Sequence, residues 1–475
     1  MDCMLSPFRR THTFFTRSFR SGLTSCVLTT ALAATFSRAV AGAEAEKAPA
    51  AGSEINGAYY AWQKTQKPES PWRHDYSQTL VMKMYLCSRN AKGKVAKVYL
   101  TFEDAFDVIR QLDNLTLGVP KIVYLVGWQF SGHDSGYPAW SVVNESLKRR
   151  EDPTALDSLK WLMAEAHRYH TDVSLHINML DAYQDSPLWR IYDERNVIVK
   201  DENGVPIKGP VFGGMQSYPI SYAEEWRTGL AQKRIDGLVQ MLPELKESGS
   251  IHIDAFESVS YSLPKSQVSD PFLHLTIHDE TEAQRRIIRY WRTQGIDVTT
   301  NHAIDAQRED PYIGLVPLAW GFYAQKDQLK KLPWIGKPAG FEGLPANLYT
   351  GSVMPAENDI RKDSVHLGGL LEQFCRQFVP WYDQNNLHPG VLAPLPHIRA
   401  DTFLPVLWRP GTLVACSTRG YESKRWALPA AFAGVTRLKR TRISMEGLKP
   451  EGEILVNDRY LTLSLKAGEA IVLER

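Results

Sequence analysis

The sequence predicts an α/β chain, a (β/α)8 TIM-like barrel followed by a small C-terminal antiparallel β-domain. Three observations predict it. Short apolar runs alternate with helical patterns from about residue 120 onward, the rhythm of strand–helix units around a parallel sheet. No G-x-G-x-x-G opens a helix, so the dinucleotide-binding alternative lacks its fingerprint. After about residue 390 the runs become short and are separated by turn residues, which suits antiparallel strands.

Each element follows in order. Residues 57–115 hold a strand-like VMKMYLC and a helix-like FEDAFDVIRQLDNL. The run IVYLV (122–126) is continuously apolar, as expected of a strand covered on both faces. Leu156, Leu159, Leu162, Met163 and Ala166 recur at helical spacing. VSLHIN (173–178) is the next strand, and Ile235, Leu238, Val239 and Leu242 mark the next helix. IHIDAF (251–256) is a strand, Ala283, Ile287, Ile288 and Trp291 a helix, and IDVTTN (296–301) a strand. LVPLAW (315–320) fits a further strand, weakened by Pro317. TLVACST, EILVND and YLTLSLKAGEAIVLE supply the β-domain. The chain then divides into a signal peptide (1–43), a linker and N-terminal segment (44–115), the barrel (116–390) and the β-domain (391–475).

The N-terminus reads as an export signal. Arg9, Arg10, Arg17 and Arg20 precede a short apolar stretch from Leu23 to Phe36, and Ala39-Val40-Ala41 and Ala41-Gly42-Ala43 offer cleavage sites. The protein is therefore expected to be secreted or periplasmic. No later run reaches the roughly 18 apolar residues of a membrane span. A net charge of +2 gives no sign of a nucleic-acid partner. Cleavage would remove Cys3 and Cys26. Cys87, Cys375 and Cys416 would remain, allowing one disulfide at most.

Side chains alternate across a strand. His252 and Asp254 share one side of IHIDAF, His176 and Asn178 one side of VSLHIN, and Thr299 and Asn301 one side of IDVTTN. Helices cover the outside of a barrel, so these polar sets are expected to point inward, at the C-terminal ends where barrel active sites lie. The loop GWQFSGHDSGYPAW (127–140) follows the first strand and brings His133 and Asp134 to the same rim. That loop also reads as a plain Asx-type turn with glycines at positive φ.

LVGWQFSGHDSGYP, the helix after it, VSLHINMLDAYQDSP and the later IHIDAF together resemble the endo-α-N-acetylgalactosaminidases, glycoside hydrolase family 101. The resemblance spans about residues 95–325. It implies a retaining glycosidase acting on α-linked N-acetylgalactosamine of mucin-type O-glycans, with a carbohydrate or glycoprotein substrate and no cofactor or metal. It places the nucleophile at Asp254. His133 and Asp134 fall in the sugar pocket, and His176 and Asn178 lie beside them. Trp128 or Tyr137 would offer a ring face to the sugar. The family's acid/base glutamate falls on Asn301, and an amide cannot protonate a leaving oxygen. Glu257, Asp305 or Glu309 could supply the second carboxyl. The segment KGPVFGGMQSYPISYAEEW (208–226) carries Phe212, Tyr218 and Tyr222 where the family has a Trp-bearing lid loop, which opens the disaccharide specificity to question. Two other classes stay open. One is a sugar-binding protein on a disabled barrel, suggested by Asn301. The other is a metal-dependent hydrolase built on His133, Asp134, His176, His252, Asp254 and His302, although no HxH or HExxH appears.

Overall fold

The computed structural model describes residues 55–65, 68–76, 78–256, 268–301, 312, 314–317, 353–354, 367–380, 382–383 and 400–475. The expected signal peptide and residues 318–320 of LVPLAW lie outside them, and the described half of that run, 315–317, is a turn, a single bridge residue and a bend rather than the expected strand. Residues Pro49–Arg475 form one compact unit.

Its centre is a parallel sheet. The strands are β1 (Leu80–Tyr85), β2 (Lys121–Val126), β3 (Thr171–Asn178), β4 (Ser250–Asp254), β5 (Asp297–Thr300) and β6 (Val353–Met354), in the order β5-β4-β3-β2-β1-β6. Every neighbouring pair is parallel. Four helices make the crossovers: α1 (Phe102–Leu115), α2 (Ala155–Ala166), α3 (Leu230–Met241) and α4 (Ile277–Thr293). The order runs in one direction, and each helix buries one apolar face, such as Ile287, Ile288 and Trp291 on α4. Three of these helices begin with the same device. Thr101, Thr154 and Thr276 accept from the backbone N–H three residues on, and Asp104, Asp157 and Asp279 return a bond to the cap backbone. Two otherwise orphaned donors are satisfied at each start.

The sheet begins before residue 116, the expected start of the barrel. β1 and α1 are its first strand–helix unit. VMKMYLC and FEDAFDVIRQLDNL read as strand-like and helix-like in the sequence, but that reading assigns them to an N-terminal segment rather than to the parallel sheet. The whole strand is buried, Lys83 included.

The C-terminal strands are β7 (Asp401–Pro405), β8 (Thr412–Ser417), β9 (Tyr421–Ala427), β10 (Arg437–Ser444), β11 (Gly447–Leu455), β12 (Tyr460–Leu465) and β13 (Glu469–Glu474). Five form an antiparallel sheet in the order β7-β8-β13-β10-β11, and β9 pairs with β12. Strand alternation gives this sheet two buried faces. Val414, Cys416, Ala470 and Val472 join the same core as the parallel sheet. Leu413, Ala415, Ile471 and Leu473 pack with Leu461, Leu463 and Leu465 of β12 in a second core. Two hydrogen bonds tie it to the first crossover: the Trp408 indole donates to Leu117 O at 3.1 Å, and the Asn114 amide to Met445 O at 2.6 Å. Cys87, Cys375 and Cys416 are all buried free thiols. Among the described residues no helix is long and apolar enough to cross a membrane.

Candidate active site

Register brings the polar side chains together. His252 of β4 lies beside His176 of β3 and Thr299 of β5, and Asp254 lies beside Asn178. His176 and His252 stack with ring centroids 5.5 Å apart, and His133 leans on His176 at 5.4 Å. The glycines of the GHDS loop serve the turn. Gly132 and Gly136 have φ of 117° and 76°, and a Cβ on Gly136 would stand 2.2 Å from the Phe130 ring. The backbone N–H of His133 donates to Cys87 O at 2.9 Å, fastening the loop to the strand after β1. Asp134, itself at φ 57°, then faces His133 Nδ1 at 3.2 Å.

Asp254 is the centre of the arrangement. The Asn301 Nδ2 amide donates to its Oδ1 at 2.7 Å, and the Lys83 ammonium stands 3.7 Å from the same oxygen. His176 Nε2 is 3.8 Å from Oδ2. With the Asn301 N–H turned to the carboxylate, its Oδ1 faces His252 Nε2 at 3.2 Å, so His252 donates there and accepts at Nδ1 from the Thr299 hydroxyl, 3.0 Å away. Burial by itself raises a carboxyl. Here Lys83, His176, His252 and the Asn301 amide outweigh it and hold Asp254 well below the usual carboxylate range. Burial pushes both His176 and His252 well down, so both rings are neutral and contribute dipoles rather than charge. Asp134 moves the other way: burial raises it, and His133 opposes the rise. Asp181, on the loop after β3, is raised to about 7 by burial and by the Asp134 charge. One half-buried, ionised carboxylate and two carboxyls pushed toward the neutral form therefore share the site.

Most of the expected site residues converge, but four differ in what they do. Trp128 is fully buried and its indole donates to His176 O at 3.1 Å, so it props β3 and presents no ring face to a sugar. Tyr137 is fully buried too. Asn178 is spent within its own loop: its Oδ1 accepts from the backbone of Leu180 and Asp181, and its Nδ2 donates to Asp181 Oδ2 at 2.8 Å. Asn301 sits at hydrogen-bond distance from Asp254, far inside the roughly 5–5.5 Å that separates the two carboxyls of a retaining pair. Glu257, Asp305, Glu309 and His302 lie outside the described residues. Lys83 is the residue that the pattern missed. A buried lysine in a strand requires a carboxylate partner, and that requirement was the available signal.

The loop that carries His133 and Asp134 thus stands beside an ionised aspartate at the C-terminal end of a parallel strand, an arrangement that glycosidase chemistry can use. Residues 89–286 match the family model described as endo-alpha-N-acetylgalactosaminidase, glycoside hydrolase family 101. The matched segment contains His133, Asp134, His176, Asn178 and Asp254, while Lys83 and Asn301 fall outside it. No curated protein matches the sequence. Among solved structures, the alpha-N-acetylgalactosaminidase NagBb from Bifidobacterium bifidum in its Gal-NHAc-DNJ complex is 15% identical, with a TM-score of 0.40 over 58% of this chain and 41% of that one. Its ligand-free form is 13% identical, with a TM-score of 0.43 over 72% and 56%. The alpha-amylase of Geobacillus thermoleovorans complexed with acarbose is 10% identical, with a TM-score of 0.41 over 85% and 100%. The chain thus spans only 41–56% of the length of these two Bifidobacterium structures.

Proposed function

We propose that this chain is a secreted retaining glycoside hydrolase that cleaves α-linked N-acetylgalactosamine of mucin-type O-glycans. Asp254 attacks the anomeric carbon. The observation that carries this reading is the division of labour on its carboxylate. Asn301 and Lys83 occupy Oδ1, and Oδ2 is left facing the ring of His176. A nucleophile must be ionised and have one oxygen unencumbered, and both conditions hold. His133 and Asp134 grip sugar hydroxyls from the rim. A closed (β/α)8 barrel suits the strand order, because β6, from far along the chain, lies on the free side of β1 as a late barrel strand would. The basic and apolar N-terminal stretch suits an enzyme whose substrate is outside the cell.

The second carboxyl is the open element, and Asn301 favours a second reading, a sugar-binding protein that does not turn over. One experiment separates the two. Wild-type protein and Asp254→Asn are assayed on an aryl α-N-acetylgalactosaminide, and the anomer first released is followed by NMR. We expect wild-type turnover with retention, and a fall of several orders of magnitude in the variant. Inversion, or near-normal turnover by Asp254→Asn, would overturn the nucleophile assignment. Binding without any turnover by the wild type would leave the sugar-binding reading.

A further inference from the structure

We propose that His133, His176 and Asp254 also form a binding site for a divalent transition cation of the zinc class, and that the cation excludes the sugar. The inhibitory half of this proposal rests on Asp254 being the nucleophile. The binding half does not.

Each of the three residues offers one ligand atom, and these atoms lie within 4.8 Å of one another. His176 Nε2 lies 3.8 Å from Asp254 Oδ2. A tetrahedral zinc with bonds of roughly 2.0–2.1 Å needs its ligands about 3.3 Å apart, so a small inward movement closes the triad. A second observation points the same way independently of the spacing. Neither ring nitrogen of His176 has a hydrogen-bond partner, although the residue is only 2% exposed. A buried imidazole without partners is costly, and a metal bond at Nε2 would satisfy one of its nitrogens.

The surroundings assign the ligand atoms. Asp134 Oδ2 stands 3.2 Å from His133 Nδ1. That contact fixes the proton on Nδ1 and leaves Nε2 as the donor, as carboxylate–histidine pairs do at metal centres. On Asp254 the amide of Asn301 and the ammonium of Lys83 lie on Oδ1, so Oδ2 is the oxygen left for the cation. Two imidazoles and one carboxylate with open positions suit zinc and its neighbours and do not suit calcium or magnesium, which prefer all-oxygen shells. Lys83 opposes the cation. Its charge makes the site weaker than a dedicated metalloenzyme centre, which suits a reversible inhibitor.

The test uses the full chain. Zn2+ is titrated calorimetrically, Co2+ is added separately and followed by its visible absorption, and Zn2+ inhibition is measured on the aryl glycoside. We expect one Zn2+ per chain, a cobalt spectrum of low coordination number and inhibition competitive with the glycoside. His133→Ala, at a partly exposed position, should lower Zn2+ affinity by more than about tenfold, the least that losing even an outer partner costs. Asp134→Asn should lower it by about 10–100-fold. Lys83→Met should raise it. The absence of calorimetric binding at millimolar Zn2+, binding unchanged in His133→Ala, or activation in place of inhibition would each overturn the proposal. A wild type without turnover would defeat the enzymatic reading alone, since calorimetry and the cobalt spectrum report on the site without it.

Discussion

Lys83 decides how acid the site can become before it fails. Asp254 titrates far below an ordinary carboxyl because the Lys83 ammonium and the Asn301 amide outweigh burial. A depressed carboxyl stays ionised as pH falls, until the medium reaches its folded pKa. Replacing Lys83 by methionine keeps the apolar stem and removes the charge. Burial then acts with less opposition and the Asp254 pKa rises. The acid limb of the kcat/KM profile of Lys83→Met should therefore move to higher pH, with a lower plateau. A limb that stays in place would mean Lys83 does not set the ionisation. Asp254 itself was legible in the sequence, because period-two alternation put His252 and Asp254 on the polar side of IHIDAF. Lys83 was not, because its partner lies three strands away in the sheet and a lone lysine scores as solvent-facing. Trp128 misled for the opposite reason: tryptophan suits both a sugar platform and a core, and only the bond from its indole to His176 O separates them.

At the scale of elements, sequence and structure agree closely where the period was strong. IVYLV, VSLHIN, IHIDAF and IDVTTN are parallel neighbours, and the helices between them lie where their apolar spacing put them. Boundaries were weaker: β1 sits in a stretch expected to be an N-terminal segment. A cue was present in the T-x-x-D that precedes α1, α2 and α4, since repetition of one helix start marks repetition of one unit. The Thr154 cap is exposed and its side-chain bonds stay within its own helix start, so Thr154→Ala should cost about 1 kcal/mol of stability. Glycosidase parameters should not change. Urea unfolding would check the first and steady-state kinetics the second. A loss of activity without a loss of stability would contradict this account of the helix start.

The whole molecule has one main core that two sheets share. Val414, Cys416, Ala470 and Val472 of the C-terminal sheet are continuous with the apolar residues behind the parallel strands, and Trp408 and Asn114 add hydrogen bonds across the seam. The change to short runs separated by turn residues was readable in the sequence. That the antiparallel sheet uses both faces was not, because burial on a second face depends on which strands come back over it. Removing residues 401–475 would uncover one side of the main core, and such a chain should lose the near-ultraviolet circular dichroism of its packed tryptophans. A truncated protein with native near-ultraviolet signal and a sharp melting transition would show that the parallel sheet stands alone.

The stretch that matches a family runs from residue 89 to residue 286. Lys83 precedes it and Asn301 follows it, and these two side chains hold Oδ1 of Asp254. A gene fragment cut at the edges of that likeness would also lose β1 and β5, the strands that flank the three between them. The border of that match therefore falls inside the candidate site. Anyone who transplants, dissects or compares this site by its recognisable segment carries away Asp254, the proposed nucleophile, and leaves behind the groups that set its charge.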